Sequence, residues 1–582
     1  MTGLLQGAWI ASCLPRAGVF ALAARRPLRR VQEGVLREIL RRNADTAFGR
    51  AHGFAGLTSV EAFRRAVPVG GYEAHRPWID RAAAGEAGVL TADPVRLFER
   101  SSGTATASKL VPYTAGLQEA FNRCLHPWMA DLFLRHPGLW GGPAYWVVTP
   151  LSEPGERTTG GLPIGFAGDS EYFGGLAARL IGRLLAVPDW LRQAPDLASF
   201  RYQTLLCLLR APDLRLISLW SPSFLPALLD GLFDWVEPLC RDLRDGTARG
   251  PGMDRPSIPG GGGAGRAPGA WLEGLRTPAG AQPGRAIEVE TLLARASRHD
   301  PDGVGERLWP RLALLSTWTD GEAAAALPSL RPWFPTVPVQ GKGLLATEGA
   351  VTIPLAGAPA PVLAATSAFF EFREGEEGET PMRPAWELEE GQVARVVMTT
   401  HGGLYRYELN DIVQVVGRWH SFPCLCFLGK EGVVSDLCGE KLHARHVERI
   451  LAARGLAGTG AFLAPRSASA AGPAGYDLFL PTAALPALLA GAAGGQVSRE
   501  VLAELAAALD RDLGANFHYD WCRRVGQLGP CLVVAVAGDA AVLREGRARR
   551  LAAEGRRLGT LKFPALSPQR DWEPWLNLPP PG

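Results

Sequence analysis

Short apolar runs of strand character alternate along this chain with stretches of helical period, and that alternation restricts the fold more than any other feature. Val95–Arg100 and Leu110–Tyr113 flank a loop of small residues. Ala144–Val148 and Arg215–Leu219 read as buried strands, separated by helical patterns at Gly175–Leu185 and Leu197–Leu209. Parallel neighbours need a long crossover, which a helix supplies, so the pattern predicts an α/β fold with mostly parallel strands. Helices are expected over Val31–Arg42, Ser59–Arg65 and Tyr72–Ala84, with another starting near Thr114. A second strand-rich stretch runs from Leu312 to Val416.

At 582 residues the chain is too long for a single core. Residues 1–429 are expected to form a large domain and residues 430–582 a smaller α/β one. In the second, helices are predicted at Val447–Ala453, Val501–Leu513 and Ala541–Leu558, and strands at Tyr476–Leu480 and Leu532–Val536. Residues 246–285, with Gly260–Gly263 and many prolines, show no period and read as a flexible insertion.

Composition removes several classes of function. Lys plus Arg is 61 and Asp plus Glu is 58, a net charge of +3 that gives no polyanion-binding surface, so no nucleic-acid partner is expected. Nine cysteines without a Cys-x-x-Cys pair, and ten histidines without ligand spacing, argue against zinc and for reduced thiols in a cytoplasmic setting. Leu4 to Ala24 is apolar, but Pro15 and Arg16 interrupt it and no basic segment precedes it. An amphipathic first helix is expected, with no run long enough to span a bilayer and no stable membrane insertion. No residue pattern points to an oligomeric state.

Only five of the basic residues are lysines: Lys109, Lys342, Lys430, Lys441 and Lys562. A compact ammonium is not interchangeable with a guanidinium fork, so each is a candidate for a place where arginine would not serve, against chance survival, and its surroundings decide. Lys109 closes the loop Ser101-Ser102-Gly103-Thr104-Ala105-Thr106-Ala107-Ser108, whose small residues and hydroxyls suit a phosphate cradle. The P-loop pattern Gly-x-x-x-x-Gly-Lys-Ser/Thr occurs nowhere. Lys342 lies in Gly341–Gly349, an apolar run ending in Thr347 and Glu348, and a carboxylate beside a triphosphate suits Mg²⁺. Thr399–Asp411 reads as a turn, a strand and a terminal Asp411, placed to accept from two ribose hydroxyls.

Taken in order, these features resemble the adenylate-forming superfamily of acyl-CoA synthetases, peptide-synthetase adenylation domains and luciferases. Gly429-Lys430-Glu431-Gly432, with Gly439 ten positions after the first Gly, is similar to its hinge with Lys for Arg, and Gly559-Thr560-Leu561-Lys562 to its C-terminal lysine motif. Within it the closer resemblance is to the auxin-responsive-promoter family of acyl-acid amido synthetases, in its bacterial form. The residues that carry it are Asn43-x-x-Thr46-x-Phe48-Gly49-Arg50, Val67-Pro68-Val69 with Tyr72, Leu219–Leu225, Leu308-Trp309-Pro310, Phe369–Phe372 and Gly403-Leu404-Tyr405-Arg406-Tyr407. Two departures stand out: Ala105 replaces a loop threonine, and Leu344 replaces a tyrosine that stacks on adenine in plant members.

The resemblance implies a large multi-sheet domain with a small mobile lid. It also implies ATP and Mg²⁺ as cofactors, and a small carboxylic acid and an amino acid as substrates. Ser101, Ser102, Gly103, Thr104 and Lys109 would cradle phosphates; Thr347 and Glu348 would hold the α-phosphate and the metal. Asp411 would bind ribose, and Arg406 would belong to the nucleotide-binding set. Lys562 would bridge carboxylate and α-phosphate, and Lys430 would sit at the pivot. Trp220 to Leu225, with Ser221-Pro222 opening a helix, would border the acid pocket. Coenzyme A as the acceptor shares every motif, and a degenerate non-catalytic member is disfavoured by Glu348, Asp411 and Lys562.

Overall fold

The computed structural model describes residues 2–100, 109–147, 156–165, 181–194, 196–222, 224–249, 280–298, 300–374, 381–430, 434–435, 437, 440, 442–468, 473–485, 499–524, 528–554 and 563–578. The fold is α/β and divides into two compact units, Met1–Leu428 and Gly429–Gly582.

The first unit begins with two helices, α1 (Thr2–Ala24) and α2 (Leu28–Arg42). The expected first helix, α1, runs unbroken through Pro15 and Arg16, and, contrary to the sequence expectation, its 23 residues are long and apolar enough, by length and composition, to cross a membrane. Proline removes one helical hydrogen bond, but Ala11 and Pro15 both face solvent, where water reaches the freed carbonyl. The opposite face buries Trp9, Ile10, Cys13 and Phe20, and Trp9 meets Phe133 of the long helix Ala115–Arg135. Helix α2 is stitched to a sheet by Gln32: its amide nitrogen donates to the carbonyls of Ala365 and Ala368, and its oxygen accepts from Phe370 N–H at 2.7 Å.

Two sheets carry this unit. Four parallel strands, β3 (Ala144–Trp146), β4 (Leu216–Ser218), β5 (Leu314–Thr317) and β6 (Val339–Gly341), lie in that order. Their register aligns Trp146, Ser218 and Ser316, and Thr317 with Gly341, so the carboxyl ends form one rim. The helix Leu197–Leu209, the crossover the pattern demanded, packs in the core of this sheet through Phe200, Leu205 and Leu209. The other sheet has seven strands in the order β12-β11-β13-β14-β15-β10-β9. They are β9 (Thr352–Ile353), β10 (Val362–Leu363), β11 (Ala368–Glu374), β12 (Met382–Pro384), β13 (Val393–Thr400), β14 (Tyr407–Trp419) and β15 (Phe422–Lys430). The pairs β11–β12, β11–β13 and β13–β14 are antiparallel, so parallel strands do not dominate as the alternation suggested.

Two antiparallel hairpins complete the frame: β1 (Val95–Arg100) with β2 (Leu110–Thr114), and β7 (Leu345–Ala346) with β8 (Gly349–Ala350). One local expectation is corrected: residues 283–285, taken as the end of a flexible insertion, open the helix Pro283–Leu293, with Pro283 at its first turn. The helix expected to open at Ser221-Pro222 is described from Phe224 to Leu229, and Phe224 N–H reaches Ser221 O at 3.1 Å.

The second unit holds a three-stranded sheet of Phe462–Arg466, Gly475–Pro481 and Leu532–Val536, its first pair antiparallel and its second parallel. The helices Ala444–Ala453 and Arg499–Leu513 share a core with this sheet through Val447, Leu451, Leu478 and Leu509.

Candidate active site

Segments far apart in sequence meet around one phenol. Tyr407 opens β14 and is buried, and its hydroxyl hydrogen-bonds to Glu348. Burial foremost, then the charge and hydrogen bond of Glu348, and then Tyr72 and Asp411, push its pKa far above the ordinary value. The phenol therefore keeps its proton and donates it to the carboxylate.

Glu348 gets there through a tight hairpin: Ala346 pairs with Gly349, leaving Thr347 and Glu348 as the two turn residues between β7 and β8. The chain entering this hairpin presses on β9. A Cβ on Gly343 would lie 2.1 Å from the Thr352 carbonyl oxygen, and Leu344 N–H donates to the Thr352 hydroxyl at 2.8 Å. Only glycine permits that approach.

Asp411 lies inside β14 rather than at a strand end, which corrects the sequence reading. Arg395 faces Ile412 and Val397 faces Glu408, so Leu409, Asn410 and Asp411 stand opposite Val396 alone. Asn410 takes φ 61° in this bulge. A bulge re-aims a side chain, and Asp411, at the end of this one, lies near enough to the Tyr407 phenol for its charge to help raise that group's pKa.

Lys109, the first described residue after the small-residue loop, places its ammonium 5.8 Å from the Tyr72 ring centroid. The Tyr72 hydroxyl accepts Leu110 N–H at 3.1 Å. Gly70 in turn pairs with β14, donating to Arg406 O and accepting from Glu408 N–H at 3.1 Å. Lys109, Tyr72, Tyr407, Glu348 and Asp411 are thereby gathered within the first unit.

Arg406 does not join them. Its guanidinium is buried; Nε and one terminal nitrogen bind both Glu371 oxygens at 2.8 and 3.0 Å, and the other donates to the carbonyls of Arg64 and Val67. Arg64 also reaches Glu371, at 3.2 Å. Every nitrogen is committed to the protein, so the nucleotide-binding assignment of Arg406 is replaced by a structural clamp. Ser101, Ser102, Gly103, Thr104 and Lys562 lie outside the described residues, and Lys430 is described only as the last backbone position of β15. Arg100 and Leu110 face each other at the end of the β1–β2 hairpin, so residues 101–109 connect its two strands.

A second constellation sits at the rim of the parallel sheet, outside the carboxyl ends of the strands, where open α/β sheets bind ligands. The Lys342 ammonium donates to Ser218 Oγ at 2.8 Å and lies 4.5 Å from the Trp220 ring and 5.6 Å from the Trp128 ring. Trp318 stands beside Trp220 with ring centroids 5.6 Å apart. Sequence reasoning singled out Tyr72 and Tyr407 only as carriers of resemblance and gave Lys342 no role. The signal for Lys342 was its rarity among 61 basic residues.

The comparisons with known proteins meet this geometry. The GH3 family N-terminal domain model matches residues 20–259, and the GH3 family central domain model matches residues 361–430. The chain belongs to the GH3 family. It is 28% identical over 460 residues to the probable indole-3-acetic acid-amido synthetase GH3.7 of Oryza sativa subsp. japonica, covering 71% of this chain and 70% of that protein. To the probable indole-3-acetic acid-amido synthetase GH3.4 of the same plant it is 28% identical over 543 residues, 87% of this chain and 81% of the relative. The fold is that of the AtGH3.15 acyl acid amido synthetase in complex with 2,4-DB, at TM-score 0.76 and 20% identity over 98% of this chain and 96% of that one. Amido synthetases are ligases of the adenylate-forming type, and this GH3 chain is an enzyme of that type.

Proposed function

We propose that this GH3 chain is an acyl acid amido synthetase that activates a small carboxylic acid with ATP and passes the acyl group to the amine of an amino acid. The observation that carries the reading is the meeting of Glu348 and Asp411 at Tyr407, with Lys109 over Tyr72 beside them. A carboxylate resists nucleophiles because of its charge and its poor leaving group. Attack of its oxygen on the α-phosphorus of ATP breaks the bond to pyrophosphate and forms an acyl-adenylate. The amine then attacks the acyl carbon, AMP departs, and the amine proton passes to solvent. The protein's share is positioning and charge stabilisation.

Asp411 accepts from ribose hydroxyls. Lys109 and the loop hydroxyls of Ser101, Ser102 and Thr104 balance phosphate charge, and Thr347 holds the α-phosphate. Lys562 and Lys430 of the second unit serve as the bridging cation and the pivot. Glu348 would hold Mg²⁺: it is a hard carboxylate oxygen donor steadied by the Tyr407 phenol, and such a metal takes one or two carboxylates besides phosphate oxygens and water. The metal when bound neutralises phosphate charge. Trp220, Trp318 and Lys342 line the side of the sheet rim where the acid is taken.

The test is acid-dependent exchange of labelled pyrophosphate into ATP across a panel of aryl, indolyl and fatty acids, followed by product analysis with pooled amino acids or with coenzyme A. Exchange and an amide product are expected. Asp411→Ala should raise the KM for ATP by roughly tenfold or more, as loss of charge-assisted hydrogen bonds does, and Glu348→Gln should raise the Mg²⁺ requirement. Formation of ADP would overturn adenylation, and a thioester without amide would overturn the amino-acid acceptor.

A further inference from the structure

Among the described residues seven large apolar side chains are exposed, and four of them stand on α1: Leu4 at 80%, Leu14 at 45%, Val19 at 63% and Leu22 at 60%. A fifth, Leu134 at 62%, belongs to the last turn of the helix Ala115–Arg135, next to the Phe133 ring that meets Trp9 at 5.7 Å. Scattered exposed leucines need no explanation, but this concentration on one helix pair does. Leu4, Ala8, Ala11, Pro15, Gly18 and Leu22 recur at steps of four and three and are all exposed, so they form one outward stripe. The stripe carries no charge, because the only charged residue of α1, Arg16, pairs with Glu119 of the long helix at 2.8 Å.

Immediately after this stripe come Arg25, Arg26, Arg29 and Arg30, all exposed. The first acidic residue in the chain is Glu33, which pairs with Arg29 at 2.7 Å. Residues 1–32 therefore hold five arginines and no Asp or Glu, in a chain whose whole net charge is only +3. An apolar stripe followed by Arg25, Arg26 and Arg30, which make no ion pair among the described residues, matches an anionic bilayer surface, whose acyl boundary takes the stripe and whose headgroups take those arginines. A second copy of the chain would bring the same unbalanced arginines to the contact.

We propose that α1 seats the enzyme on membranes containing anionic lipid, lying flat with its outer face in the boundary between headgroups and acyl chains. It does not span, because its inner face is part of the first unit's core: Trp9, Ile10, Cys13 and Phe20 are buried, and the Gln6 amide binds the carbonyls of Leu139 and Gly142 at 3.3 and 2.9 Å. The assignment is independent of the adenylation chemistry.

The experiment is co-sedimentation of the full chain with vesicles of phosphatidylcholine alone and of phosphatidylcholine mixed with phosphatidylglycerol. Two variants accompany it, Leu4→Gln/Val19→Gln/Leu22→Gln and Arg25→Gln/Arg26→Gln/Arg30→Gln, whose exposed positions should leave the thermal midpoint unchanged. Salt-sensitive binding to the mixed vesicles is expected. The arginine variant should bind about fivefold more weakly per arginine removed, and the apolar variant at least roughly tenfold more weakly. Absence of binding to the mixed vesicles, equal binding to both vesicle types, or undiminished binding by the apolar variant would each overturn the proposal. So would a dimer that the apolar variant converts to monomer while the unaltered chain ignores vesicles.

Discussion

At the scale of single residues, Arg406 and Tyr407 show how one short motif serves two purposes. The segment Gly403–Tyr407 holds an arginine turned into the protein and a tyrosine turned to the site. Arg406 has φ 47°, a left-handed conformation that its own N–H, donated to Thr399 Oγ1 at 2.9 Å, helps to hold. Its side chain ties Glu371 of β11 to the carbonyls of Arg64 and Val67. Removing Arg406 leaves the buried Glu371 with only the partly exposed Arg64 at 3.2 Å, and breaking such a buried pair costs up to about 3–5 kcal/mol. Arg406→Met should therefore lower the free energy of unfolding by that amount, measured by denaturant titration, while the KM for ATP of the remaining folded enzyme stays near the unaltered value. A large rise in that KM without loss of stability would return Arg406 to the nucleotide site.

At the scale of elements, the bulge in β14 does what neither a regular strand nor a loop could. Its neighbours stay paired with β13 through Val397–Glu408 and Arg395–Ile412, so the bulge is rigidly held while Asp411 is re-aimed. The device depends on Asn410 at φ 61°, a conformation that asparagine and glycine tolerate and a β-branched residue does not. Asn410→Val should cost about 1–2 kcal/mol in stability and raise the KM for ATP, whereas Asn410→Gly should leave both nearly unchanged. Denaturation and initial-rate kinetics on the pair check this; equal behaviour of the two variants would detach the bulge from the site. The segment Asn43–Arg50, a carrier of family resemblance, proves to be a packing device. Thr46 caps a short helix by accepting Gly49 N–H, a Cβ on Gly49 would lie 2.0 Å from Asn43 O, and Phe48 stacks on Tyr405 at 4.6 Å.

For the whole molecule, two buried imidazoles set an acid limit. His401, in the turn after β13, is held down to about 4, by burial first and then by Arg123. His126 is held down to about 4, by burial and by Arg16. Both are ordinary near 6.5 when unfolded, so between about pH 6.5 and pH 4 the unfolded chain binds more protons. Their contribution is fully present above pH 6.5 and is lost as pH falls toward 4, on the order of 2–3 kcal/mol for each imidazole. The thermal midpoint should fall across that window, and His401→Gln should flatten the fall; an unchanged pH profile in that variant would remove His401 as a cause.

Period and punctuation in the sequence determined the local elements. Val95–Arg100, Leu197–Leu209 and Leu532–Val536 have the bounds that their apolar patterns predict, and Ser59 and Thr114 cap the helices they precede. The family was legible because glycine, hydroxyl and charge in a fixed order are local information, and Lys109, Glu348 and Asp411, picked out on the same ground, are brought together about Tyr407 and Tyr72. Tertiary structure alone decided that most strands of the large sheet are antiparallel, since pairing partners lie tens of residues apart and short apolar runs do not encode direction. It also turned Arg406 inward, placed Asp411 on a bulge rather than a strand end, and left one face of α1 uncovered. Each outcome depends on which distant surface packs against the residue, and burial, pairing and charge compensation exist only once those surfaces meet.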